Sequence, residues 1–171
     1  MSTKLKNLSE SADTQIPNAS EMSFGIVVAT WNTEITESLY RGCYETLIAN
    51  GAKDSDIFTA RVPGSFELPI GARLLDAKKS PDAIICLGCV IKGDTDHNEY
   101  INHAVANGLT QLSLLRSKPF IFGLLTTQNE QQAIDRAGGQ HGNKGVEAAN
   151  TAIQMIYMSK SISSEKKKIG Y

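Results

Sequence analysis

The sequence predicts an α/β fold, a three-layer α/β/α sandwich built on a four-stranded parallel sheet. Strand-like runs at residues 24–30, 56–62, 83–91 and 119–126 alternate with stretches of helical periodicity. Unbroken apolar runs such as the third are typical of strands buried on both faces, and helices between strands supply right-handed crossovers. With 171 residues, 41% of them hydrophobic, the chain is long enough for one domain with a sizeable core.

The first helix is predicted between the first two strands. Thr33 or Thr36 can provide its N-cap, and Asn50-Gly51 is a typical signal for its C-terminal end. Its apolar side chains recur at helical spacing: Leu39, Cys43, Leu47 and Ile48.

The second and third helices are predicted from capping signals. Ser65 is in position to cap a helix over residues 67–78. Asp96 and Glu99 have the spacing of a capping box ahead of a long helix over residues 98–116. The inner face of the second helix is expected to carry Leu68, Ala72 and Leu75.

The last part of the chain is predicted to add two more helices. A short helix covers residues 130–136, a Gly-rich link covers 137–145, and a final helix covers about 146–159. Four parallel strands with helices on both faces make a small sandwich of the flavodoxin type. Such a narrow sheet has edge strands that need cover, which favours association with other copies of the chain.

The folded domain is expected to cover residues 23–160 and to have polar ends. Residues 1–22 are expected to be disordered or packed on a neighbouring subunit, and residues 161–171 form a charged tail. No apolar run reaches the roughly 20 residues of a membrane span, and residues 1–20 lack the apolar centre of a secretory signal. We therefore expect a cytoplasmic protein. The net charge of −1 gives no electrostatic case for binding nucleic acid or an anionic membrane.

Three cysteines give no disulfide framework. Cys86 and Cys89 form a C-x-x-C pattern, which is typical of redox or metal sites. In a strand, however, residues three apart point to opposite faces. The two thiols are therefore expected to diverge into the core on either side of the sheet.

Chemically distinctive loops follow all four predicted strands, and we call them together the rim. They lie at residues 31–32, 64–67, 93–97 and 126–127. The carboxyl ends of parallel strands share one edge of a sheet, so a single site is expected there. Trp31 and Phe66 are placed to sandwich a planar ring; the alternative is that their rings cover the top of the core.

His97 and Arg136 are candidates for proton transfer and anion binding. His97 lies at a predicted helix start, and imidazole can move protons near neutral pH; the alternative is a histidine that is simply exposed to water. Arg136 closes a short helix; a guanidinium there can hold a phosphate dianion or simply complement the helix dipole. No His-Glu-x-x-His pattern occurs, so no metal site is expected. The run at 141–145 lacks the Ser or Thr of a P-loop, which excludes nucleotide binding of that type.

Four segments, in chain order, resemble the 6,7-dimethyl-8-ribityllumazine synthase family. They are Val62-Pro-Gly-Ser-Phe-Glu-Leu-Pro69, Leu87-Gly-Cys-Val-Ile-Lys-Gly-Asp-Thr-Asp-His97, Phe122-Gly-Leu-Leu-Thr-Thr127 and Arg136-Ala-Gly-Gly-Gln-His-Gly-Asn-Lys-Gly145. The resemblance implies a transferase that condenses 5-amino-6-(D-ribitylamino)uracil with 3,4-dihydroxy-2-butanone 4-phosphate. Phosphate and water are released in this penultimate step of riboflavin biosynthesis, and the family uses no cofactor or metal.

The resemblance also implies a role for each candidate residue. The pyrimidine ring would be lined by Trp31, Phe66 and, from a neighbouring subunit, Phe122. The polar edge of the ring would be bound by Asn32, Lys144 and the backbone of Cys89, Val90 and Ile91. The ribityl chain would be bound by Glu67, with Ser65 beside it. The phosphate would be bound by the loop of Gly93, Asp94 and Thr95, with Arg136 facing it. His97 would be the catalytic group that moves protons.

Assembly is a further implication of the resemblance. Members of the family form homopentamers, and some pack twelve pentamers into an icosahedral capsid of 60 chains. The link at residues 138–145 carries no insertion, as in the shell-forming members. Riboflavin synthase is the further protein partner that the resemblance suggests.

The alternative function is a non-catalytic riboflavin- or lumazine-binding protein of the same fold. Such a protein would keep the aromatic slot and lose the phosphate site. The joint presence of four residues argues against it: Lys92, Thr95, His97 and Arg136. A phosphosugar isomerase or aldolase would need a Schiff-base lysine or a metal cluster, and the sequence indicates neither.

Overall fold

A four-stranded parallel sheet forms the centre of the computed structural model, which describes Asn7 and residues 16–165. The strands are β1 (Phe24–Ala29), β2 (Ile57–Val62), β3 (Ala83–Ile91) and β4 (Phe120–Thr127). Their order across the sheet is β2-β1-β3-β4, and every pairing is parallel. The predicted fold class is therefore confirmed.

Helices cover both faces of this sheet and complete the three layers. They are α1 (Thr33–Ala49), α2 (Leu68–Lys79), α3 (His97–Arg116), α4 (Glu130–Arg136) and α5 (Lys144–Glu165). Helices α1 and α5 enclose one hydrophobic core against the sheet, and α2 and α3 enclose the other. None of the helices in the described part of the chain is long and apolar enough to span a membrane.

Strand β3 supplies both cores, because its side chains alternate between the two faces. Cys86 lies in the core under α2 and α3, and Cys89 lies in the core under α1 and α5. The C-x-x-C thiols therefore diverge, as predicted. Burial raises the pKa of the Cys89 thiol to about 11, so it is protonated at neutral pH.

The link predicted between α4 and α5 is a small antiparallel hairpin of β5 (Ala137–Gly139) and β6 (Gly142–Asn143). Gly138 (φ 113°) and Gly142 (φ 78°) adopt the positive φ that glycine tolerates best. The hairpin packs beside α1, where the Asn143 amide donates to the Ser38 carbonyl at 2.9 Å.

At the starts of α1 and α3, a backbone carbonyl, rather than a predicted side-chain cap, accepts a hydrogen bond from an N–H group of the first turn. The N-cap residue of α1 is Asn32, and its carbonyl accepts from the Ile35 N–H at 3.0 Å. The N-cap residue of α3 is Asp96, and its carbonyl accepts from the Glu99 N–H, also at 3.0 Å. The prediction of side-chain caps is therefore wrong, although Asp96 is the N-cap residue of α3, as predicted. Among the described residues, no capping hydrogen bond is made by Thr33, Thr36, Ser65 or Asp96.

The two ends of the described chain meet on the α1/α5 side. Residues 16–22 pack on their own chain, where Ala19 is fully buried, whereas the sequence predicts disorder or packing on a neighbour. Helix α5 continues past its predicted end at residue 159, and the Lys160 ammonium donates to the Glu21 carbonyl at 2.8 Å. The remaining parts of the predicted end segments, residues 1–6, 8–15 and 166–171, lie outside the described residues.

The end of the sheet opposite the rim is held by a buried carboxylate, Asp76 of α2. Its oxygens accept hydrogen bonds from Arg116 Nε and Lys118 Nζ, both at 2.7 Å. Arg73 lies further away, at 3.9 Å. These ion pairs join α2 to the end of α3 and to the start of β4.

Candidate active site

The rim loops lie together at the carboxyl ends of the four strands, as the parallel topology requires. Two backbone hydrogen bonds connect neighbouring loops. The Trp31 N–H donates to the Pro63 carbonyl at 3.1 Å, and the Lys92 N–H donates to the Thr127 carbonyl at 2.9 Å. These bonds join the loops after β1 and β2 as one pair and the loops after β3 and β4 as another.

Two aromatic rings stand out from this surface. Trp31 is 72% exposed and Phe66 is 60% exposed, so neither ring covers the core. Exposed rings of this size carry a large apolar area that a planar ligand can bury. The alternative, in which these rings close the top of the core, is wrong.

Asn32 fastens the first rim loop to the end of β3. Its backbone is in the left-handed region, at φ 58° and ψ 51°. From there its side-chain amide donates a hydrogen bond to the carbonyl of Cys89 at 3.1 Å. The backbone next to Cys89, at Val90 and Ile91, is thereby fixed at the floor of the rim.

Ser65 faces inward, which the sequence did not predict. The residue is 7% exposed, and its hydroxyl has no hydrogen-bond partner among the described residues. A Cβ placed on Gly88 would lie only 2.7 Å from Ser65 Oγ, so the hydroxyl lies directly over β3. The Ser65 hydroxyl therefore faces the sheet, whereas the resemblance implies a position beside the ribityl chain. Glu67, two residues on, is half-buried and remains at the rim.

The loop after β3 is open to solvent. Gly93, Asp94 and Thr95 are exposed, and a Cβ placed on Gly93 would meet no atom within 4 Å. His97 is the exposed first residue of α3, a helix of 20 residues. Free N–H groups at the start of such a helix favour anions. An exposed imidazole at a helix start of this kind can exchange protons with a bound ligand.

Arg136 is the last residue of α4, which follows the end of β4. Its Nη1 donates to the Gln132 carbonyl one turn earlier, at 3.0 Å. This bond holds the half-buried side chain close to its own helix. A guanidinium has five N–H donors, so the remaining donors are available for a phosphate.

Phe122 and Lys144 lie away from the rim, in a groove of about 660 Å³ along the edge strand β4. The groove runs between α3 and α5, and no rim residue lines it. Its walls are mainly apolar and include Leu114, Phe120, Met155 and Met158. Within one chain, the set of predicted site residues at the rim is therefore separate from the set in the groove, and Arg136, at the end of α4, is part of neither.

Two polar residues of these sets were not among the predicted site residues. Glu147 lies in the groove, and its Oε1 is 2.7 Å from Lys144 Nζ; the (i, i+3) spacing was the available signal. Thr127 lies at the rim, and its buried hydroxyl has no partner within the described residues. Its position in the rim loop at residues 126–127 was the available signal. No cluster of three His, Cys, Asp or Glu side chains suited to a metal ion occurs in the described part of the chain.

The 6,7-dimethyl-8-ribityllumazine synthase family model matches residues 21–160. The chain belongs to this family. Among its lumazine synthase relatives, the enzyme of Cytophaga hutchinsonii is 55% identical over 156 residues, which are 91% of this chain and 98% of the relative. That of Parabacteroides distasonis is 54% identical over 159 residues, covering 93% of this chain and 99% of the relative. That of Flavobacterium psychrophilum is 49% identical, over 92% of this chain and 84% of the relative.

Proposed function

We propose that this chain catalyses the formation of 6,7-dimethyl-8-ribityllumazine, the penultimate step of riboflavin biosynthesis. Its substrates are 5-amino-6-(D-ribitylamino)uracil and 3,4-dihydroxy-2-butanone 4-phosphate, and phosphate and water are released. The observation that carries this proposal is the family match over residues 21–160, supported by relatives of that name aligned over nearly their full length. The rim supplies the chemistry that such a reaction needs.

The pyrimidine is assigned to the part of the rim formed by the loops after β1 and β2 and the end of β3. Exposed Trp31 and Phe66 offer apolar faces for the ring. Asn32 and the backbone of residues 89–91 are assigned to its polar edge, and half-buried Glu67 to the ribityl hydroxyls. Because the Ser65 hydroxyl faces inward, the backbone of Ser65, rather than its side chain, is assigned to the contact with the ribityl group.

The butanone phosphate is assigned to the loop after β3. The backbone amides of Gly93, Asp94 and Thr95 lie ahead of the N-terminus of α3, where a phosphate is favoured. Arg136 adds a guanidinium for the dianion. His97, at the start of the same helix, is assigned the proton transfers.

The reaction proceeds by proton shuffling on two oriented substrates. The 5-amine of the pyrimidine attacks the ketone and, with loss of water, forms an imine. The imine tautomerises and phosphate leaves from C4 of the butanone, which converts the C3 alcohol, by way of an enol, into a ketone. The ribitylamine nitrogen attacks this new carbonyl, closing the ring with loss of a second water. Each step needs a proton moved and a charge held, which a histidine and an anion site provide. Much of the rate enhancement is therefore expected from positioning, so that loss of His97 slows the enzyme without abolishing its activity.

We place the complete site between two chains, because Phe122 and Lys144 lie in the groove and no rim residue lines it. A heterologous contact of groove on rim closes into a ring, and a homopentamer is the ring that family membership favours. The short link at 138–145 favours twelve such rings in an icosahedral capsid. Riboflavin synthase, which consumes the product, is the proposed protein partner.

The packing of the N-terminal segment on a neighbouring subunit concerns residues that lie largely outside the described part of the chain. The cytoplasmic location and the single domain at 23–160 stay predictions.

The first experiment mixes purified protein with both substrates and follows lumazine absorbance and phosphate release. Rates well above the spontaneous condensation are expected for the wild type. Arg136→Ala should raise the KM for the butanone phosphate strongly, His97→Ala should lower kcat moderately, and Arg41→Ala, an exposed arginine of α1, should change neither. Tight riboflavin binding without acceleration would instead favour the storage protein.

A further inference from the structure

Lys144 occupies a position that helix physics disfavours. It is the first residue of α5, a helix of 22 residues, and so lies at the positive end of the helix dipole. Its side chain is only 16% exposed and lines a mainly apolar groove. A shielded cation at this place does not stabilise the helix. Departures of this kind from local rules are expected at functional sites.

Glu147 offsets both penalties. It lies one turn further along α5, where a carboxylate is favoured by the dipole, and its Oε1 is 2.7 Å from Lys144 Nζ. Its side chain is 21% exposed and also lines the groove. Because little water reaches either group, this charge-assisted bond restricts the lysine more than an exposed ion pair does.

We propose that Glu147 is a positioning residue for Lys144, and this inference rests on the proposed function. An ammonium group has three N–H donors. Glu147 accepts from one and keeps the others in the groove near Phe122, where they meet the polar edge of the pyrimidine. Without the carboxylate, the four-carbon side chain is free to turn away from the ligand.

A purely structural role for this pair makes a different prediction. If Glu147 only secured the first turn of α5, its loss would lower stability and affect both substrates alike. If it positions Lys144, its loss raises the KM for the pyrimidine alone. A double-mutant cycle then decides whether the effect passes through the lysine.

The experiment measures steady-state kinetics for Glu147→Gln, Lys144→Met and the double variant, with melting temperatures for each. Glu147→Gln is expected to raise the pyrimidine KM about tenfold, with kcat and the KM of the butanone phosphate within about twofold of wild type. In the Lys144→Met background the same substitution should change nothing further. Glu147→Asp, which keeps the charge, should restore part of the affinity. Lys160→Gln breaks an ion pair with Asp82 at the far end of α5 and serves as the control.

An unchanged pyrimidine KM in folded Glu147→Gln overturns the proposal while leaving the proposed function intact. So does an equal loss in the wild-type and Lys144→Met backgrounds. If Glu147→Gln does not fold, Glu147→Asp decides, because a wild-type KM in that variant would contradict a position-sensitive role. A wild-type protein that does not accelerate lumazine formation overturns the proposed function, and this inference with it.

Discussion

The side-chain amide of Asn32 donates a hydrogen bond to the carbonyl oxygen of Cys89, 3.1 Å away and 57 residues along the chain. The contact joins the loop after β1 to the end of β3 and is possible because Asn32 has left-handed backbone angles. Asparagine tolerates this conformation better than most residues. One residue thus satisfies a backbone requirement and a side-chain requirement together.

Substitutions at Asn32 should separate these two requirements. Asn32→Gly loses the hydrogen bond, which is worth about 1 kcal/mol, and keeps the backbone angles. Asn32→Ala loses the bond and adds about 1 kcal/mol of backbone strain. The free energy of unfolding in urea should therefore fall from wild type to Gly to Ala. Equal stability of the Gly and Ala variants would show that the left-handed conformation carries no cost here.

Gly88→Ala should disturb the rim from beneath. The added Cβ would lie 2.7 Å from Ser65 Oγ and 2.8 Å from Leu124 Cδ1, and both distances are shorter than a van der Waals contact. Overpacking of this kind costs about 1 to 3 kcal/mol. Gly93→Ala is the matched control, since open space surrounds that position and stability should change by less than about 0.5 kcal/mol. Thermal denaturation of both variants tests the difference, and a Gly88→Ala protein as stable as the control contradicts it.

Asp76→Asn should weaken the end of the sheet opposite the rim. The carboxylate is fully buried, whereas its partners Arg116 and Lys118 are partly exposed and can regain water. We expect the free energy of unfolding to fall by about 2 to 3 kcal/mol, which is at or below the lower end of the cost of breaking a buried ion pair. Glu37→Gln, which breaks an exposed ion pair with Arg61, should cost less than about 1 kcal/mol. Similar losses in the two variants would refute the role of burial.

Asp76 should also make stability depend on pH in the acid range. Burial acts to raise the pKa of this carboxyl, but hydrogen bonds and charge from Lys118 and Arg116 outweigh it and hold the pKa below its usual range. The stabilisation is therefore present above about pH 4, the pKa of an unfolded Asp, and is lost as pH falls through the lower folded value. Urea titrations between neutral pH and pH 3 should show a smaller acid loss in Asp76→Asn than in wild type.

Mixed assemblies should recover activity if rim and groove belong to different chains. Glu67→Ala impairs the rim and Lys144→Met impairs the groove. In a ring assembled from equal amounts of the two variants, about a quarter of the sites combine an intact rim with an intact groove. Co-expression should therefore restore up to that share of the wild-type rate. Activity no greater than the sum of the separate variants would place the site within one chain.

Local signals were sufficient for most of the fold. Helix α4 and strand β3 have the predicted bounds, because each is delimited by turn residues directly beside a clear pattern. Ser65 shows where such signals stop. Its hydroxyl can cap a helix by local rules, yet it lies over Gly88, 23 residues away. Only the packed sheet brings these two residues together.

The site was predictable to the extent that topology determines it. Parallel strands bring Trp31, Asn32 and His97 to one edge whatever the loops contain. The groove is different, since Phe122 and Lys144 are brought together by α5 packing along β4, and periodicity does not reveal that register. The hairpin at 137–143 was likewise missed, because its short strands consist largely of glycine and carry no strand pattern.

The three buried cysteines can serve as natural probes of whether the helical layers detach from the sheet. Cys43 and Cys89 lie on the α1/α5 side and Cys86 on the α2/α3 side, and burial raises the pKa of each thiol. A thiol-reactive reagent at neutral pH therefore modifies a given cysteine only when the layer above it detaches. Labelling rates read position by position would tell whether the two helical layers leave the sheet as one cooperative unit or as separate ones, without introducing a foreign label.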